Sequence, residues 1–162
     1  MAKEEENQLF HRGDGFCLLL KNVVEEIIAY IKDDSSARYK IIIGTDSEDH
    51  NGVDFVSAVV VLRLGRGGRY FWRRVRENKK YVLRDRIYQE VLLSLKLAEE
   101  LIGLLRERDF VSYDFEIHVD VGVSGETKAM LAEVVGMVRG SGFEAKIKPE
   151  SFGASCVADR HI

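Results

Sequence analysis

The stretch Tyr39-Lys40-Ile41-Ile42-Ile43-Gly44-Thr45-Asp46 decides the fold. It is β-branched, is interrupted only by Gly44 near its end, and closes on Thr45-Asp46-Ser47, so it reads as a strand with a carboxylate at its carboxyl end. Downstream, Phe55 to Leu64 and Arg69 to Val75 are two more strands. Gly65-Arg66-Gly67-Gly68 between them suits a hairpin turn. Upstream, Leu19, Val23, Ile27, Ile28 and Ile31 recur at helical spacing, which predicts an amphipathic helix from about Cys17 to Asp33. A long helix follows the third strand, from about Leu83 to Arg108. Then come a strand (Phe115 to Asp120), a helix (about Glu126 to Arg139), a strand (Phe143 to Lys148) and a short terminal helix (about Ala154 to His161). Hairpins make the first three strands antiparallel, and strand-helix-strand units make the rest parallel. The expected fold is α/β: a mixed five-stranded sheet, three antiparallel strands then two parallel, with helices on both faces and an extra N-terminal helix.

With 162 residues, 46% of them apolar and 31% charged, the chain is one domain's worth of soluble globule. Residues 1–16 read as a flexible polar tail containing Gly13-Asp14-Gly15, and residues 17–162 as a single domain. No apolar run approaches membrane-spanning length. Met1 to Asn7 has no basic-then-apolar leader pattern. Cys17 and Cys156 fit no disulfide or zinc spacing. Together these point to the cytoplasm and away from membranes.

Four carboxylates stand out by position rather than by type. Asp46 and Asp120 end the first and fourth strands, where open α/β sheets bind ligands. On adjacent parallel strands they would stand roughly 5 Å apart, and carboxylates that close repel unless a cation lies between them. Each alone also reads as a polar strand end or a helix cap. Glu90 falls on the stripe Leu83, Ile87, Ser94, Leu97, Leu101, where an apolar residue is expected. Such a charge needs a partner or a metal; Arg86, four residues earlier, is the plain alternative. Asp159, in Ser155-Cys156-Val157-Ala158-Asp159-Arg160-His161, gains interest only from the other three. Oxygen ligands without a Cys-His set suit Mg²⁺ or Mn²⁺.

The ordered set of motifs resembles the YkuK-type ribonuclease H-like family of bacterial proteins. The matching stretches are Ile43-Gly44-Thr45-Asp46-Ser47, Arg86-Ile87-Tyr88-Gln89-Glu90, His118-Val119-Asp120-Val121-Gly122, Gly136-Met137-Val138, Gly142-Phe143-Glu144, Lys146-Ile147-Lys148-Pro149 and Val157-Ala158-Asp159-Arg160. The resemblance implies that Asp46, Glu90 and Asp120 are metal ligands and catalytic residues, with Asp159 completing the site. It also implies two-metal phosphodiester hydrolysis, the ions standing about 3.5–4 Å apart. Compared with the better-known ribonuclease H enzymes, the chain adds an N-terminal helix and lacks a basic insertion after the long helix. Its last residue comes three positions after Asp159, where His161 reads as a frayed terminus or a proton-transfer aid.

Charge is uneven. Between Arg63 and Arg86 ten basic residues face only Glu77 and Asp85, so this segment carries +8 in a chain of net charge -3. Arg63, Arg66, Arg69, Arg73, Arg74, Arg76, Lys79 and Lys80 are candidates for nucleic-acid binding, interleaved with Tyr70, Phe71, Trp72 and Tyr81. A solvated edge hairpin and a core stripe of aromatics account for the same pattern. Two other motifs fail. Asp46 to Gly52 is not a calcium loop, because its glycine comes one place late. Gly122 to Lys128 lacks the order of a P-loop. The expected function is a Mg²⁺- or Mn²⁺-dependent nuclease acting on RNA or structured nucleic acid, DNA included. The rivals are a noncatalytic nucleic-acid-binding module and a nucleotide-binding phosphotransferase.

Overall fold

The structure is a computed structural model that describes residues 8–110, 114–152 and 156–157. In chain order its elements are β1 (Phe10–Arg12), β2 (Cys17–Leu18), α1 (Leu20–Asp33), β3 (Tyr39–Asp49), β4 (Val53–Arg63) and β5 (Gly68–Glu77). Then follow α2 (Leu83–Glu107), β6 (Asp114–His118), a 3₁₀ turn (Lys128–Met130), α3 (Leu131–Gly140) and β7 (Glu144–Lys146). The sheet order is β2-β1-β5-β4-β3-β6-β7. Neighbours from β2 to β3 are antiparallel, whereas β3, β6 and β7 are parallel.

The central five strands are those expected, in the expected senses, but the sheet has seven. The added pair comes from the stretch read as a polar tail. Phe10 is fully buried, and His11 stacks on Trp72 at 4.5 Å between ring centroids. Arg12 bonds Asp14 and Glu26. Two apolar residues in Leu9-Phe10-His11-Arg12 are too few to signal a strand by pattern. Strand addition to the open edge of β5 satisfies backbone groups whatever the side chains. Cys17 and Leu18 belong to this hairpin, so α1 begins at Leu20 rather than Cys17.

One buried cluster gathers Val23, Ile27 and Ile31 of α1, Val91, Leu97 and Leu101 of α2, and Val134 and Val138 of α3. It joins them to Ile41 and Ile43 of β3, Val59 and Val61 of β4, and Ile117 of β6. These strand residues lie two apart, as one face of a pleated strand requires. The helices α1, α2 and α3 therefore share a single core layer, and the two described residues of the expected terminal helix, Cys156 and Val157, are helical and lie on the other face. Residues of the opposite face include Ile42, Ala58 and Tyr70; Phe152, Cys156 and Val157 line a hollow there with Val60, Leu62 and Tyr70. The predicted terminal helix falls mostly outside the described residues.

That opposite face also carries a buried polar chain. Lys40 Nζ pairs with Glu116 at 2.7 Å, and His118 Nε2 lies 3.1 Å from the other Glu116 oxygen. The Phe152 N–H donates to His118 Nδ1 at 3.2 Å. Nδ1 must then lack a proton, which leaves Nε2 as the donor to Glu116. Burial keeps His118 below the usual histidine pKa, although Glu116 opposes it. Among the described residues no helix is long and apolar enough to cross a membrane.

Candidate active site

Polar contacts fix how α2 lies on β3. The Ser94 hydroxyl donates to Thr45 Oγ1 at 2.9 Å, and the Thr45 and Ser57 hydroxyls are 2.8 Å apart. All three are buried. One helical turn towards the start of α2, Glu90 accepts a hydrogen bond from Ser47 Oγ. Four helical residues advance about 6 Å and two strand residues about 6.7 Å, so both contacts belong to one register. A carboxylate at Glu90 is thus carried by the sheet's own spacing to the point where β3 runs on past its partner β6, whose last pair is Gly44 with His118.

Asp46 takes the intervening position on β3, between Thr45 and Ser47, and its Oδ1 accepts the Ser47 N–H at 2.8 Å. Asp120 sits two residues beyond the end of β6 instead of on the strand. A tight turn, with Val121 N–H bonded to the Val119 carbonyl, takes the chain out of the sheet there. Lys148, two residues past β7, reaches Asp120 Oδ1 at 2.8 Å. Asp46, Ser47, Glu90, Asp120, Lys148 and Arg86 line one cleft of about 350 Å³, together with Glu126 and Thr127. Four carboxylates there face two cations.

Glu90 is 5% exposed, and burial pushes its carboxyl up to about 8, against the hydrogen bond from Ser47. The charges of Asp46 and Asp120 push the same way, and Arg86 opposes them. No ion pair joins Arg86 to Glu90 among the described residues, and Arg86 Nε is buried without a hydrogen-bond partner there. The internal salt bridge that would have explained Glu90 away is absent from this set. Lys148 is held protonated by Asp120 above all. Among the described residues no three His, Cys, Asp or Glu groups stand as a ready-made metal nest. The donor chemistry nonetheless fits a hard divalent ion: several carboxylate oxygens at one cleft, one of them held above the usual carboxylate range chiefly by burial. Asp159 and His161 lie outside the described residues.

The basic segment divides in two. Arg63 bonds the Tyr30 carbonyl and the Tyr39 hydroxyl, Arg66 pairs with Asp34, and Arg76 pairs with Asp54 while bonding the His50 carbonyl. Arg69 lies over the Tyr30 ring and Arg73 over Phe10, where burial lowers the Arg73 pKa. These five are tied to parts of the fold distant in sequence, whereas Arg74 lies over the ring of nearby Trp72 and Lys79 over that of nearby Tyr81. Arg74, Lys79 and Lys80 are exposed, and the last two lead into α2, whose Leu83 and Arg86 line the cleft. Sequence reasoning did not single out Ser47 or Lys148 for this site. The signal for Lys148 was its place beyond β7, at the same sheet end as Asp120.

The family model described as "Ribonuclease H-like" matches residues 22–162. A protein of Bacillus subtilis (strain 168) described as "Uncharacterized protein YkuK" is 28% identical over 166 aligned positions, which cover 94% of this chain and 95% of that one. No solved structure matches the chain.

Proposed function

We propose that this chain, which belongs to the ribonuclease H-like family, hydrolyses phosphodiester bonds of RNA or structured nucleic acid with Mg²⁺ or Mn²⁺, two ions serving the reaction. The observation that carries the reading is Glu90, a buried carboxylic acid on the wall of a cleft that also holds Asp46 and Asp120. Asp46, Glu90 and Asp120 would hold the ions, and Asp159 is proposed as the fourth ligand. Bound there, divalent cations lower the pKa of an attacking water and stabilise the leaving oxygen. The protein's own part is positioning. Ser47 orients the Glu90 carboxylate, and the Thr45–Ser94 contact keeps α2 in register beneath it. Arg74, Lys79 and Lys80 attract the phosphate backbone, which the carboxylates alone would repel.

A noncatalytic nucleic-acid-binding role has one observation in its favour: Asp120 is already paired with Lys148. Incubation of the protein with single strands, duplexes, hybrids and junctions separates the two. Cleavage that needs Mg²⁺ or Mn²⁺ and is lost in Asp120→Asn supports the nuclease. Binding without cleavage of any of them supports the second reading.

A further inference from the structure

We propose that Lys148 is a built-in counter-cation of the carboxylate cleft, one that an entering divalent cation must displace from Asp120. The inference rests on the metal reading above. Its basis is geometric. Lys148 Nζ lies 2.8 Å from Asp120 Oδ1, inside a cleft it shares with Asp46 and Glu90. The backbone holds it there. Lys148 N–H donates to the Val121 carbonyl at 2.8 Å, and Val119 N–H donates to the Lys146 carbonyl at 2.9 Å. The chain after β7 is thus laced to the residues on either side of Asp120, so the two side chains start from adjacent backbone.

This explains how carboxylates stay together without a metal. Like charges at one cleft repel, and the cost falls if one of them is paired with an ammonium. The Lys148 side chain is 55% exposed, on a flexible four-carbon stem, so it can leave without disturbing the core. Its departure is required in the proposed sequence of events. A divalent ion bound by Asp120 would stand within a few ångströms of the ammonium, and the two positive charges repel.

The prediction has a sign that a purely structural role does not share. Lys148→Met should bind Mn²⁺ more tightly than the wild type, by about fivefold or more, the size expected for removing one positive charge beside a divalent ion in a solvent-accessible site. Lys148→Arg, which keeps the charge, should stay near the wild-type affinity. Titration calorimetry with MnCl₂ alone, without nucleic acid, reads both. In chelator, Lys148→Met should melt below the wild type, and its melting point should rise further on adding Mn²⁺. Equal or weaker Mn²⁺ binding by Lys148→Met, beside measurable wild-type binding, overturns the proposal. So does tighter binding by Lys148→Arg. Binding by neither wild type nor Lys148→Met at millimolar Mn²⁺ overturns the metal reading itself.

Discussion

Glu90 shows how a single residue connects the core to the site. Its carboxyl is pushed up to about 8, while in the unfolded chain it ionises in the ordinary carboxylate range. Between those limits the folded protein holds a proton that the unfolded chain has lost. Its contribution to stability is therefore full at acid pH and is lost as the pH rises through about 8. Without metal, the wild type should lose stability between about pH 5 and 8 on this account and level off above. Glu90→Gln keeps the size and the Ser47 contact but has no proton to lose. In chelator at pH 8.5 it should melt higher than the wild type by roughly 5 °C, and the gap should close towards pH 5. Scanning calorimetry across that range checks it. A variant that melts lower at pH 8.5 would mean that Glu90 is already ionised and compensated.

For elements, the decisive contact is between α2 and β3. Ser94, Thr45 and Ser57 form a buried hydroxyl chain in a mostly apolar layer. Their net hydrogen-bond energy is modest, but breaking the middle member strands both neighbours. Thr45→Val should cost about 1–3 kcal/mol in urea unfolding, because the Ser94 donor and a Ser57 hydroxyl lose their partner. Adding Ser57→Ala and Ser94→Ala to it should recover part of that loss, since a layer with no hydroxyls leaves none unpaired. If Thr45→Val alone were neutral, the chain would contribute nothing to register. The β1–β2 hairpin teaches a related lesson. Its Gly13-Asp14-Gly15 turn, with Gly15 at φ +88° and the Phe16 N–H bonded to Asp14, is a recognisable hairpin signal. What hid the strands was their length of two and three residues.

At the scale of the molecule, the basic segment is divided by what surrounds each side chain as well as by sequence position. Of the eight basic candidates from Arg63 to Lys80, seven touch carboxylates, carbonyls or aromatic rings, but Arg74 and Lys79 do so only through a ring two residues away in the chain. Arg74, Lys79 and Lys80 are exposed, and they are the residues proposed to meet a phosphate backbone. Replacing these three with Ala should flatten the log–log salt dependence of nucleic-acid binding by about 0.7 per lost contact on single strands, or 0.9 on duplex. Replacing Arg63 and Arg76 should mainly lower the melting temperature. Binding measured at several salt concentrations, beside thermal melts, separates the two groups. An unchanged slope in the first triple variant would make this edge only a solvated one.

The order of elements, the five central strands and the positions of Asp46, Glu90 and Asp120 were legible in the chain itself. Periodicity, turn residues and one misplaced charge are local properties, although β3 runs three residues past Asp46 and β6 stops two residues before Asp120, where both had been expected to end their strands. Three matters were settled only by tertiary packing. The first is the two added strands, because an open sheet edge recruits backbone with little regard to side chains. The second is the division of the arginines, since a guanidinium looks the same in sequence whether a carboxylate, an aromatic ring or solvent waits beside it. The third is Lys148. Its distance from Asp120 along the chain is 28 residues, and only parallel pairing of β6 with β7 brings the two to one cleft. Pairing of that kind depends on crossover geometry rather than local pattern. That is why a cation inside the carboxylate site appeared only in three dimensions.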